Sequence, residues 1–129
     1  MTKIQVRTGW AWDQPYFYSQ AIRVRDLVFV SGQAAIAPDG TIVGKNDFEV
    51  QAHQAFTNLA SVLHAAGVGL RDVVKMTTFV TDMRQFPKVV ELRKTYFSPP
   101  YPADTIVEVQ ALALPELMIE IEAIASVPE

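Results

Sequence analysis

Two glutamates in "LMIEIEAIA" are the first residues here that could do chemistry. Glu120 and Glu122 share one face of an apolar, alternating segment, because successive strand side chains point to opposite sides. A carboxylate among apolar neighbours has a raised pKa and can act as general acid or base. The same spacing also fits an edge strand with one solvated face. "SGQ" at Ser31, Gly32 and Gln33 closes another apolar run. Its glycine either permits a bulge or lets a ligand approach the backbone. Trp10, Trp12, Tyr16, Phe17 and Tyr18 crowd into "GWAWDQPYFYSQ". Aromatics at that density belong to a core or interface, or they line a pocket. The polar flanks Asp13, Gln14, Ser19 and Gln20 leave both readings open. In "YPADTIVEV", Pro99, Pro100 and Pro102 keep the approach non-helical, and Asp104 reads as a turn residue opening a strand. His53 and His64 lie about 16 Å apart on one helix, too far for one metal, and off its apolar stripe. There is no cysteine, no serine elbow, no phosphate-binding glycine loop and no metal-ligand cluster. The expectation is therefore no metal site and no cofactor.

Periodicity locates the elements that would position these residues. "AIRVRDLVFVSGQ" predicts two strands joined tightly at Arg25 and Asp26, and "PDGTIVG" a turn at Asp39-Gly40 followed by a short strand. "NDFEVQAHQAFTNLASVLHAAG" predicts a helix. Asn46 and Glu49 form a capping-box pattern, Ala52, Ala55, Phe56, Leu59, Val62, Leu63 and Ala66 make an apolar stripe, and Gly67 follows the end. "DVVKMTTFVTD" predicts a strand, "FPKVVELRKTYF" a second helix with Pro87 in its first turn, and "TIVEVQA" and "LMIEIEAIA" the last strands. The class is α+β, a mainly antiparallel sheet packed by two helices. Several strands are apolar on both faces: Leu27 and Phe29 alternate with Val28 and Val30. Two helices cover only one face of a sheet. The other predicts a homo-oligomer, with Glu120 at or near the subunit contact and a binding cleft between subunits.

Half of the 129 residues are hydrophobic and 19% are charged, the balance of one globular domain spanning 1–129. A formal charge of -3 supplies no basic field for a phosphate backbone. The densest basic stretch, Lys88, Arg93 and Lys94, is interrupted by Glu91 and reads as a solvated helix face. No apolar run is long enough to span a bilayer, and "MTKIQVRTGWAWDQPY" lacks a continuous apolar h-region. The expectation is a soluble, cytoplasmic protein with neither nucleic-acid nor membrane partners.

Taken together, "YSQA" (Tyr18 to Ala21), "VFVSGQ" (Val28 to Gln33), "NLASVLHAAG" (Asn58 to Gly67), "DVVKMTTFVTDM" (Asp72 to Met83), "PA" (Pro102, Ala103) and "IEIEAIA" (Ile119 to Ala125) resemble the RidA/YjgF family of small imine deaminases, some of whose members are described as endoribonuclease L-PSP-like. The likeness covers nearly the whole chain, in order. It implies a chorismate mutase-like fold of the bacterial trimeric type, and a homotrimer holding a small-molecule ligand in clefts between subunits. The implied activity is hydrolysis of reactive enamines and imines to a 2-oxo acid and ammonia. In the family, an arginine after "PA" grips the substrate carboxylate and a glutamate of the last strand handles the attacking water. The "YSQA" tyrosine and the "SGQ" glycine complete the cleft, and an asparagine is characteristic of the second helix.

Carried over, the resemblance makes Tyr18 and Glu120 catalytic and puts Gly32, Asp104, Thr105, Ile106 and Val90 at substrate-binding positions. Val90 stands where the asparagine would be, and Asp104 where the arginine would be. An anion in place of that cation implies repulsion of a carboxylate and a poor deaminase of small 2-imino acids. Three readings stay open. The first is a C=N hydrolase for a neutral or cationic substrate, with Asp104 contacting an amine or hydroxyl, or one in which Arg23 or Arg93 reaches in as a substitute anchor. The second is a non-catalytic ligand-binding or regulatory trimer. The third is a ribonuclease, which the acidic balance disfavours.

Overall fold

The structure, a computed structural model, describes residues 2–129. Six strands and two α-helices follow in the order β1 (Lys3–Val6), β2 (Ala21–Val24), β3 (Leu27–Ala34), α1 (Phe48–Ala65), β4 (Val73–Val80), α2 (Phe86–Tyr96), β5 (Ala103–Glu108) and β6 (Ile119–Ser126). They make one sheet in the order β1-β2-β3-β6-β4-β5. Every neighbouring pair is antiparallel except β4–β5, which is parallel, with α2 as its crossover. This is the expected α+β class. No helix among the described residues is long and apolar enough to cross a membrane.

Both helices pack on one face. The α1 stripe of Ala52, Ala55, Phe56, Leu59, Val62 and Leu63 is buried against Val28 and Val30 of β3 and Ile119, Ile121, Ala123 and Ala125 of β6. Helix α2 adds Val89 and Leu92, and Phe56 stacks on Tyr96 with ring centroids 4.5 Å apart. The opposite face is open: Leu27 and Phe29 are 40% and 42% exposed.

Several local expectations change. Asp47, not Asn46, caps α1: its carboxylate accepts from the Val50 N–H, while Asn46 is left-handed at φ 63°. Glu49 pairs with Lys88 across to α2 instead of closing a capping box. "PDGTIVG" forms only an isolated bridge, Ile36 to Ile42, rather than a strand. The strand expected from Thr105 begins at Ala103, so Asp104 lies inside it and is not a turn residue. The basic stretch is not uniformly solvated. Lys88 and Lys94 sit in exposed pairs with Glu49 and Glu91, but Arg93 turns inward.

Two buried amides fix the segments that frame the site. Gln51, fully buried, donates to the Gly44 and Glu116 carbonyls and accepts from the Met118 N–H. Asn58 donates to the Ala34 and Ile36 carbonyls. Each ties α1 to a segment that frames the site by giving its backbone carbonyls a side-chain donor.

Candidate functional site

The site grows from a bulge between β3 and β6. Val30 pairs with Ala123 and Gln33 with Ile121, so Ser31 and Gly32 together stand opposite the single residue Glu122. The bulge brings Gly32 under the side chain of Glu120. A Cβ placed on Gly32 would lie 2.5 Å from Glu120 Oε2 and 2.6 Å from its Cδ. The carboxylate rests on bare backbone, a contact that only glycine permits. Glu120 and Gly32 line a cavity of about 440 Å³ together with Tyr18, Trp12, Tyr16, Asn58 and Leu114. That is the size of a small-molecule site.

Burial, and then the charge of Glu122, push the Glu120 carboxyl above its ordinary value. No described residue donates a hydrogen bond to it. Tyr18 stands beside it. Burial raises its hydroxyl above the ordinary tyrosine value, the Gln20 hydrogen bond opposes the rise, and the charges of Asp13 and Glu120 add to it. Tyr18 therefore stays protonated at neutral pH and can donate.

Behind Tyr18 runs an amide relay. The Gln33 Nε2 donates to Gln20 Oε1 at 2.8 Å and to the Ser31 carbonyl at 3.0 Å. The Gln20 Nε2 in turn donates to Asp13 Oδ2 at 2.8 Å and to the Tyr18 hydroxyl at 3.1 Å. The Ser31 hydroxyl donates to the Ser19 carbonyl at 2.6 Å. The relay holds the "YSQA" and "SGQ" segments in register. Sequence reasoning named Gln20 only as a polar flank and Gln33 only as the end of "SGQ", and missed both as site residues, because their burial depends on each other across 13 residues of chain. The aromatic cluster divides: Trp10 packs against the core, Trp12, Tyr16 and Tyr18 line the cavity, and Phe17 is 94% exposed. Trp12 Nε1 is the one buried side-chain polar atom without a partner among the described residues.

Asp104 does not join this cavity. Its register partner is Met76, and its Oδ1 accepts from Thr78; both neighbours are buried on the helix-covered face. Glu120 alternates with buried Ile119 and Ile121, so it faces the open side. Asp104 lines a second cavity, of about 230 Å³, with Val90, Arg93, Met76, Phe97 and Tyr101. There the Arg93 Nε donates to Asp104 Oδ2 at 2.8 Å, with the Asp104 side chain 8% and the Arg93 side chain 28% exposed. Both carboxylate oxygens of Asp104 are thereby engaged, and Arg93 stands beside it. Thr105 faces the open side, accepting from Lys75 Nζ at 2.8 Å, and Ile106 packs against the core. Arg23 donates to the Arg25 carbonyl at the β2–β3 turn and lines neither cavity. Among the described residues no cluster of histidine, aspartate and glutamate could hold a metal.

The same arrangement of elements occurs in known proteins. The family description "Endoribonuclease L-PSP" matches residues 13–127. The chain is 44% identical over 114 residues to the RutC family protein YjgH of Escherichia coli, covering 87% of this chain and 84% of that one. It is 39% identical over 108 residues to a mouse 2-iminobutanoate/2-iminopropanoate deaminase, covering 84% and 79%. The crystal structure of RidA from an Antarctic Psychrobacter superposes with a TM-score of 0.80 at 37% identity, covering 86% and 89%. The chain belongs to the endoribonuclease L-PSP family, the RidA/YjgF group that its motifs resemble.

Proposed function

We propose that this protein hydrolyses the C=N bond of a small, reactive enamine- or imine-type metabolite, with Glu120 as the base. The observation that carries the reading is the Glu120 carboxylate, half-buried, accepting no hydrogen bond from the described residues and resting on Gly32 beside the Tyr18 hydroxyl. A general base needs a raised pKa and open access to water. Glu120 takes a proton from water as the oxygen adds to the C=N carbon, and returns it to the nitrogen. The resulting amino alcohol loses its hydroxyl proton through Glu120 to the nitrogen, the C–N bond breaks, and ammonia and a carbonyl product leave. Tyr18, kept protonated, donates a hydrogen bond that holds the substrate. The mouse relative's name as an imine deaminase supports this reaction class.

Glu120 and Asp104 project from opposite faces of one chain, so a ligand touching both cavities has to lie between two copies. The half-exposed Leu27 and Phe29 supply an apolar surface for such assembly. We place the working cleft at the contacts of a homotrimer. Position 104 is not the carboxylate grip there, which separates this protein from relatives that carry arginine. The nuclease activity in the family's description has little support here, since among the described residues no lysine or arginine lines the Glu120 cavity and the net charge is -3.

The test is ammonia release from imines generated in place by an amino-acid oxidase, over acidic, neutral and basic amino acids. Release above the protein-free rate on at least one class supports the reading. A silent panel overturns it in favour of a ligand-binding trimer.

A further inference from the structure

Both oxygens of Asp104 are engaged within the chain: Oδ1 accepts from Thr78 at 3.3 Å and Oδ2 from Arg93 at 2.8 Å. Its role is turned toward Arg93. A guanidinium carries five N–H donors in a planar fork. Asp104 takes one of them, at Nε, and no described residue accepts from either Nη. The plane is further held by the Phe86 ring, 5.8 Å from Arg93 Cζ to the ring centroid. Thr78 fixes Asp104, Asp104 fixes Arg93, and the unused Nη pair remains for the cavity that Arg93 lines. The rest of the wall is mostly apolar: Met76, Val90, Phe97 and Tyr101. Lys94 also reaches its rim, tied to Glu91 at 3.8 Å.

We propose that Arg93 is a carboxylate anchor, positioned by Asp104, and that this cavity binds a small monocarboxylate with a short apolar body. A guanidinium held at Nε offers its terminal nitrogens as a two-donor fork, the geometry that grips a carboxylate bidentately. The low local polarity strengthens that contact. The pairing also gives the anion at position 104 a purpose, as the clamp on the cation. In the hydrolytic reading this names the substrate class: the acid group sits on Arg93, not on residue 104. The anchor can nevertheless be tested without turnover.

The experiment is a chemical-shift titration of the ¹⁵N-labelled protein with butanoate and, separately, with butanamide. Neither has a C=N bond, so the result is blind to whether hydrolysis occurs. The expected result is butanoate binding about tenfold or more tighter than butanamide, with shifts at Val90, Phe97 and the Arg93 Nε–H. Arg93→Gln abolishes that preference. Because this change leaves Asp104 without its partner, the double variant Arg93→Gln/Asp104→Asn removes both charges together and shows the same loss. Equal affinity for the two probes in the unaltered protein, no butanoate binding at all, or an unchanged preference in the double variant overturns the proposal.

Discussion

Gly32→Ala is the sharpest perturbation available, because it touches the reaction and almost nothing else. Gly32 has no left-handed φ, so alanine brings no backbone strain there. The new methyl would meet Glu120 Oε2, Cδ and Cγ at 2.5, 2.6 and 2.9 Å. Ordinary contacts of this kind begin near 3.4 Å, so the carboxylate has to retreat by about 1 Å, a displacement that typically costs about 100-fold in rate. Stability changes little. The clash is with a flexible side chain beside open space, and the loss of glycine's freedom in the unfolded chain contributes about 0.4–1 kcal/mol the other way. The expectation is a fall of about 100-fold in kcat/KM for ammonia release, with Tm within a few degrees of the unaltered protein. A variant that keeps its rate within about threefold would refute the claim that Glu120 must rest on residue 32 to act. An unfolded variant would refute the claim that the contact is local.

The raised Glu120 pKa sets a pH dependence: kcat/KM falls as pH drops through a value above the usual glutamate range, and Glu122→Gln moves that limb down, because the Glu122 charge is a cause of the rise. The same raised pKa means that ionised Glu120 weighs against folding once pH exceeds its unfolded value. Glu120→Gln therefore gains Tm over the unaltered protein as pH rises above the ordinary glutamate value and keeps that gain at higher pH, with no gain below it. Asn58→Ala removes the side-chain donor to the Ile36 carbonyl and one of two donors to the Ala34 carbonyl, and should cost about 1–3 kcal/mol by denaturant titration. Phe29→Glu, on the open sheet face, should leave the chain folded by circular dichroism yet reduce the mass seen by light scattering to that of a monomer.

The sheet and its helices are legible in the sequence because they obey simple periods. The α1 stripe, Gly67 past its end and the alternation of Val28 and Val30 with Leu27 and Phe29 are all present in the fold. Glu120 is legible for the same reason, as a carboxylate in an apolar alternating strand. What escapes depends on contacts distant in sequence. The bulge at Ser31 and Gly32 is set by pairing with β6, so the burial of Gln33 cannot be read from β3 alone. Asn46 and Asp47 both suit a cap, and the left-handed turn at Asn46 decides between them. Arg93 looks like part of a charged surface, and only the parallel pairing of β4 and β5 shows that Asp104 draws it inward. The anion at 104 is plain in the sequence, but its partner is not.

The most direct test of the account compares the unaltered protein with Glu120→Gln, which keeps the size of the side chain and removes the base. Ammonia release from the best imine of the oxidase panel is measured, with butanoate binding followed in parallel. The account predicts a loss of about 100-fold or more in rate with binding unchanged. A Glu120→Gln protein that hydrolyses at the rate of the unaltered one would contradict it.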